Sequence, residues 1–215
     1  MVRVKICGNT SIADIELVSE LGADFAGFIV EVPVDTPRKI SLAQAERIME
    51  EMPFTTAGVM VIMPRSVEEA LNMYLAVRPD FIQLHGSEPP SFVRELRGLV
   101  SCNIIKTIHV RGEESIAEAR RYVNYVDAIL LDTPSRQGGG SGRVHDWEVS
   151  RRIVEALPKP VILAGGLTPE NVAEAVRVVR PYAVDVSSGV EAAPGKKDPE
   201  KVRLFIARAK KVKAI

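Results

Sequence analysis

The sequence predicts an α/β protein folded as a single-domain (β/α)8 TIM barrel over residues 1–215. Three observations lead there. Short runs rich in Val, Ile and Leu alternate with longer amphipathic stretches from start to finish. Eight strand–helix pairs fit the chain, and no gap between them is large enough for a second domain.

The strands are read, in order, as VRVKI, DFAGFIV, AGVMVIM, DFIQLH, NIIKTIHV, VDAILLD, PVILAG and YAVDVSS. Between them, SIADIELVSELGA, SLAQAERIMEEM, SVEEALNMYLAV and PENVAEAVRVVR repeat apolar residues at three- and four-residue spacing, the period of a helix face. The last helix, in DPEKVRLFIARAKKV, opens on Asp198 and Pro199, a cap and first-turn pair. Sequential βα units imply a parallel sheet, because antiparallel neighbours would need only tight turns. With a right-handed crossover after every strand, closure into a barrel is the economical arrangement, and a doubly wound open sheet is the alternative. The dinucleotide fingerprint is missing, since CGNTS after the first strand is no GxGxxG.

Composition narrows the function classes. The 215 residues are 46% apolar and 26% charged, a globular balance. A formal net charge of +0 leaves no basic face for nucleic acid. No Lys/Arg cluster beside an amphipathic anchor points to a membrane, and the basic ARAKKVKAI suits the negative end of a helix dipole. No apolar run reaches the length of a membrane span, and the chain reads as a strand from its second residue, without a signal-type apolar region or cleavage site. Cys7 and Cys102 make neither a disulfide framework nor a CxxC pair, and His85, His109 and His145 make no HExxH pair. The expectation is a cytoplasmic protein without metal, monomeric or homodimeric.

In such a barrel the site is built at the C-terminal ends of the strands. The chemically awkward residues collect there. Cys7 follows VKI, Arg38 lies in the loop after the second strand, His85 ends the fourth, Asp132 ends the sixth, and Asp185 lies in the eighth just before SSG. A thiol at a strand mouth is either a small buried hydrophobe or a group that takes and gives a proton. Cys102, at the start of the fifth strand, belongs to the opposite end and reads as packing. His109 and His145 read as a strand-end and a loop residue, solvated or simply satisfied.

Two segments carry a phosphate signal. LAGGLTPENV is a strand, the pair Gly165 and Gly166, and a helix start with Thr168 as cap and Pro169 in the first turn. VDVSSGVEAAPG is a strand followed by Ser188 and Gly189 and one turn of extra helix. Barrels of this class commonly bind phosphate between the loops after strands seven and eight, where glycines let backbone N–H groups approach the anion. A third cluster, Gly138, Gly139, Gly140, Ser141 and Gly142, follows Asp132 and reads as a mobile lid or a slack surface loop.

Together, VKICG, TPRKIS, IQLHGSE, LLDT…GGGSG…DW, LAGGLTPENV and VDVSSGVE…PGKKD resemble phosphoribosylanthranilate isomerase of tryptophan biosynthesis, in the same order over nearly the whole chain. The resemblance implies a (β/α)8 enzyme without cofactor or metal that acts on a small phosphorylated molecule and performs an Amadori rearrangement. Under it Cys7 matches the general base, Asp132 the general acid, and Arg38 the arginine that holds the anthranilate carboxylate. Gly165, Gly166, Ser188 and Gly189 match the phosphate loops, and His85 and Asp185 line the site. Thr36 stands where serine is frequent and Met63 where asparagine is frequent. The chemistry asks for an acid on one side of a sugar and a base on the other, the base as thiolate and the acid partly protonated. A histidine-pathway sugar-phosphate isomerase would be expected to carry aspartate in place of Cys7. Indoleglycerol-phosphate synthase would be expected to carry catalytic lysines, and a non-catalytic phosphate-binding barrel would need neither Cys7 nor Asp132.

Overall fold

The computed structural model describes residues 1–134 and 145–212. Its barrel strands are β1 (Arg3–Ile6), β2 (Phe25–Val30), β3 (Ala57–Ile62), β4 (Phe81–Leu84), β5 (Asn103–His109), β6 (Ala128–Asp132), β7 (Val161–Leu163) and β8 (Ala183–Val186). The helices are α1 (Ile12–Glu20), α2 (Leu42–Glu50), α3 (Val67–Val77), α4 (Pro90–Arg97), α5 (Glu114–Arg120), α6 (Trp147–Ala156), α7 (Val172–Val179) and α8 (Pro199–Lys211). Every strand pairs in parallel with its neighbours, and β1 pairs with both β2 and β8, which closes the ring and excludes the open sheet. Each predicted strand is present, shortened by one to three residues where its ends turn into loops. Among the described residues no helix is long and apolar enough to cross a membrane.

Alternation along the strands sorts side chains into two cores, because successive residues point to opposite faces. Val4 and Ile6 of β1 point outward into the large layer between sheet and helices, where they join residues such as Phe28, Met60 and Phe205. The inner layer is smaller: Val59, Ile105, Leu130, Ile162, Ala164 and Ala183, closed below by Phe25 and Phe81 meeting edge to face at 5.5 Å. Burying one such large apolar side chain contributes about 1.5–3 kcal/mol. Above this plug the interior turns polar, with Lys5, Gln83, Thr107 and Asp185 all buried.

Helix starts follow capping chemistry. Ser11, Ser66 and Asp146 each accept from a first-turn N–H, Ser41 and Gln44 form a full capping box, and Asp198 accepts from Glu200 N and Lys201 N ahead of α8. One boundary differs from the sequence reading. Thr168 caps a lead-in turn rather than α7 itself, which starts at Val172 with Asn171 before it. The Asn171 side chain ties that turn by accepting from Thr168 N (2.8 Å) and donating to Gly166 O (2.9 Å), so local side-chain bonds replace the first helical turn. A short antiparallel hairpin, Glu191–Ala193 with Lys196–Lys197, interrupts the chain before α8. It was not foreseen, and it matters at the site.

Candidate active site

At the C-terminal end of the barrel lies a cavity of about 680 Å³. Its lining includes Cys7, Arg38, His85, Asp132, Asp185, Gly165, Gly166, Ser188 and Gly189, so all nine predicted residues meet in one place. Thr36 and Met63 line it as well. Cys102 is buried at the start of β5, far below, and burial pushes its thiol up to about 11. The cluster Gly138, Gly139, Gly140, Ser141 and Gly142 lies outside the described residues.

Asp132 ends β6 on the inner face. Its Oδ1 accepts from Thr133 N at 2.8 Å, and its Oδ2 faces His85 Nε2 at 3.5 Å. Burial first, and the neighbouring Asp185 carboxylate after it, hold Asp132 up at about 6 despite the Thr133 hydrogen bond. A carboxyl group tuned there is suited to donate a proton near neutrality. Thr133 is itself fixed, because its hydroxyl meets His145 Nδ1 at 3.0 Å and His145 Nε2 meets Ser150 of α6 at 2.6 Å. His145 is therefore satisfied and bridges α6 to the segment beside Asp132; burial pushes it down to about 4.

The tautomer of His85 follows from its neighbours. Gln83 Nε2 donates to His85 Nδ1 at 3.1 Å, and an amide nitrogen can only donate, so the imidazole proton sits on Nε2, toward Asp132. Burial, with His109, Lys106 and Lys5 nearby, pushes His85 down to about 3, so the ring is neutral at physiological pH. His109 stacks on it edge to face at 5.4 Å.

Across the ring, Cys7 follows β1. Two residues earlier on the same strand face, Lys5 is completely buried and donates to Asp185 Oδ1 at 3.0 Å. Burial raises the Cys7 thiol, while Lys5 pulls it back down. Lys5 was missed in the sequence, although a lysine inside the apolar run VRVKI, in phase with Cys7, was the visible signal.

Arg38 points its fork at a carboxylate of the protein itself. Its Nε and Nη2 donate to Glu191 Oε1 and Oε2 at 2.8 and 2.6 Å. Glu191 also accepts from Lys197 (3.2 Å), and Lys197 donates to the Cys7 carbonyl at 2.6 Å. The unforeseen hairpin thus locks Arg38 to the end of β1. Arg38 Nη1 makes no hydrogen bond among the described residues.

The two glycine loops abut. Gly165 sits at φ +84, and a β-carbon there would lie 2.6 Å from Thr133 N and 2.9 Å from Asp132 Oδ1, so only glycine lets the loop pass the carboxyl group. A β-carbon on Gly189 would strike the Leu167 carbonyl, so the loops after β7 and β8 pack backbone to backbone. Ser188–Val190 form the expected short turn of 3₁₀ helix. Ser187, also missed in the sequence, has a buried hydroxyl without a partner among the described residues, and it lines the cavity. Among the described residues no group of three or more His, Cys, Asp or Glu gathers in metal-binding fashion.

Comparison with known proteins agrees with this geometry. The family model described as N-(5'phosphoribosyl)anthranilate (PRA) isomerase matches residues 4–208. The N-(5'-phosphoribosyl)anthranilate isomerase of Methanocella arvoryzae is 48% identical over 214 residues, covering 99% of this chain and 100% of the relative. The solved phosphoribosyl anthranilate isomerase of Thermotoga maritima superposes with a TM-score of 0.89 at 41% identity, covering 99% of this chain and 100% of that one. A solved isomerase in complex with reduced 1-(o-carboxyphenylamino)-1-deoxyribulose 5-phosphate superposes with a TM-score of 0.85 at 39% identity over 99% of this chain and 100% of that one. The chain belongs to the N-(5'-phosphoribosyl)anthranilate isomerase family.

Proposed function

We propose that the cavity isomerises N-(5-phosphoribosyl)anthranilate to 1-(2-carboxyphenylamino)-1-deoxyribulose 5-phosphate, an aldose–ketose step of tryptophan biosynthesis. The observation that carries this reading is the placement of a thiol and a carboxyl group held near 6 in one cavity that also presents two glycine loops and an arginine.

Asp132 donates its proton to the ribose ring oxygen. The C1′–O4′ bond breaks as the anthranilate nitrogen lone pair forms a C1′=N bond, giving a protonated Schiff base. The Cys7 thiolate takes the proton from C2′, and that electron pair forms the C1′=C2′ bond of an enolamine while the C1′=N electrons return to nitrogen. The enolamine then collapses to the ketone by losing its C2′ hydroxyl proton and gaining one at C1′. β1 and β6 stand three strands apart around the ring, which sets base and acid on different sides of the sugar.

Arg38 binds the anthranilate carboxylate. Glu191 occupies its Nε–Nη2 edge and fixes the guanidinium plane, leaving Nη1 to the substrate. Gly165, Gly166, Ser188 and Gly189 hold the phosphate through backbone N–H groups, with Ser187 beside them. His85, as a neutral Nε2–H donor, orients Asp132, and Asp185 holds Lys5. Two free thiols suit a reducing cytoplasm.

Incubation with freshly prepared phosphoribosylanthranilate tests this reading. Appearance of the open-chain ribulose product supports it, and a folded protein that yields none overturns it.

A further inference from the structure

Cys7 and Asp132 pose a problem of simultaneous protonation. A base must lose its proton in a site whose burial disfavours the thiolate, while an acid a few strands away keeps its own. Something must favour charge on the sulfur. We propose that Lys5 is the counter-ion of the Cys7 thiolate, a positioning residue whose ammonium is shared between that sulfur and Asp185. This deepens the reading of Cys7 as base and rests on it.

The geometry makes the case. Residues two apart on a strand share a face, so Lys5 and Cys7 both point into the barrel. Lys5 pairs across the ladder with Asp185, and its Nζ lies 3.0 Å from Asp185 Oδ1. The ammonium and the sulfur border the same gap, left open by Gly27 of β2. A β-carbon there would sit 2.8 Å from Cys7 Sγ and 2.9 Å from Lys5 Nζ. Glycine at position 27 leaves room for both groups side by side, and a larger residue would collide with cation and thiol alike. An ammonium carries three donors, and Asp185 takes one of them.

The other charges around Cys7 do not fill this role. Lys197, in the hairpin, donates to the Cys7 carbonyl rather than to the sulfur, and Glu191 binds it. Arg38, from the loop after β2, has its fork on Glu191. Asp185 on β8 and Asp132 on β6 are acidic and oppose a thiolate, and His85 on β4 is neutral at physiological pH. Of the cations around Cys7, Lys5 does most to lower its thiol. The proton from C2′ goes to sulfur; Lys5 transfers none and remains an ammonium throughout.

Opposite effects of two neutralising substitutions test the proposal. In a Cys102→Ser background, Cys7 alkylation by iodoacetamide is followed against pH. Lys5→Met should move the midpoint up by about 1–3 units, as loss of an adjacent opposite charge does, and slow alkylation near pH 7.5 roughly tenfold or more. Asp185→Asn should move it down, since the ammonium then belongs to the sulfur alone. In Lys5→Met, kcat should fall near neutrality and recover as pH rises, with product affinity unchanged. Displacement of both midpoints in one direction, or a fall in kcat without any displacement in Lys5→Met, overturns the proposal. If Lys5→Met fails to fold with Asp185 unpaired, the Lys5→Met/Asp185→Asn double variant replaces it. Its midpoint must lie above that of Asp185→Asn, and coincidence of the two rejects the counter-ion. A Cys7→Ser variant with full turnover would instead remove the base reading while leaving the alkylation displacements intact, so the two failures are told apart.

Discussion

The two ends of the barrel use the same side chain in opposite ways. At the N-terminal end, Asp24, Asp80 and Asp127 each stand just before an even-numbered strand and accept from an N–H of the odd-numbered neighbour: Val4 at 2.8 Å, Gly58 at 2.7 Å and Ile104 at 2.8 Å. All three keep contact with solvent, and two have cationic partners there, Lys210 at Asp24 and Arg97 at Asp127. In that setting the carboxylates stitch strand to strand. At the C-terminal end, Asp132 and Asp185 face into the cavity, where burial makes ionisation of Asp132 costly. One is held near 6, and the other needs a buried lysine at 3.0 Å. Polarity at the solvated end goes into structure; at the buried end it goes into proton chemistry.

The comparison can be broken first at its chemical side. Cys7→Ser and Asp132→Asn should each lower kcat by about 10²–10⁴-fold, the usual contribution of a general base or acid, with product affinity little changed. Cys102→Ser in the same assay should leave kcat alone; a loss of turnover there in a folded protein would dissolve the distinction between the two ends.

Asp132→Asn also carries a stability signature of specific sign. A carboxyl group raised from 3.8 to about 6 on folding favours the native state most below its unfolded value, and that advantage is lost as pH rises through about 6. Relative to the parent, the asparagine variant should therefore gain on going from pH 3.5 to pH 7.5. The gain reaches up to about 3 kcal/mol, read by denaturant unfolding at both pH values. A stability difference that does not change with pH would show that Asp132 is not disfavoured as an anion.

Arg38→Lys should weaken product binding by roughly 10- to 100-fold, since lysine cannot hold Glu191 and a ligand carboxylate as a flat fork. Titration calorimetry with the product measures this, and unchanged affinity would take the carboxylate away from Arg38.

The smallest effect belongs to the solvated end. Asp127→Ala strands the Ile104 N–H and leaves Arg97 only its bonds to the Tyr125 and Cys102 carbonyls, at a cost of about 1–2 kcal/mol in a partly exposed setting. Melting should move down by a few degrees, while kcat at a temperature where the variant is folded should match the parent. A drop in kcat would mean that the two ends are coupled.

The amino-acid order by itself determined the architecture and much of the site. Eight buried strands are legible because each is a local run of apolar residues, and a parallel sheet follows from the helix between each pair. Cys7, Arg38, His85, Asp132 and Asp185 are legible because each falls at a strand end or in the loop behind it, a position along the chain. Tertiary structure alone decided the electrostatics. Lys5 meets Asp185 across 180 residues, and Arg38 meets Glu191 across 153, so no local pattern announces either pair. The lead-in turn at Thr168 depends on two side chains acting together, Thr168 accepting from Glu170 N and Asn171 accepting from Thr168 N. Periodicity reports which face a residue occupies. The charge it carries there depends on burial and on neighbours brought in by other strands, and ring closure is what brings them in.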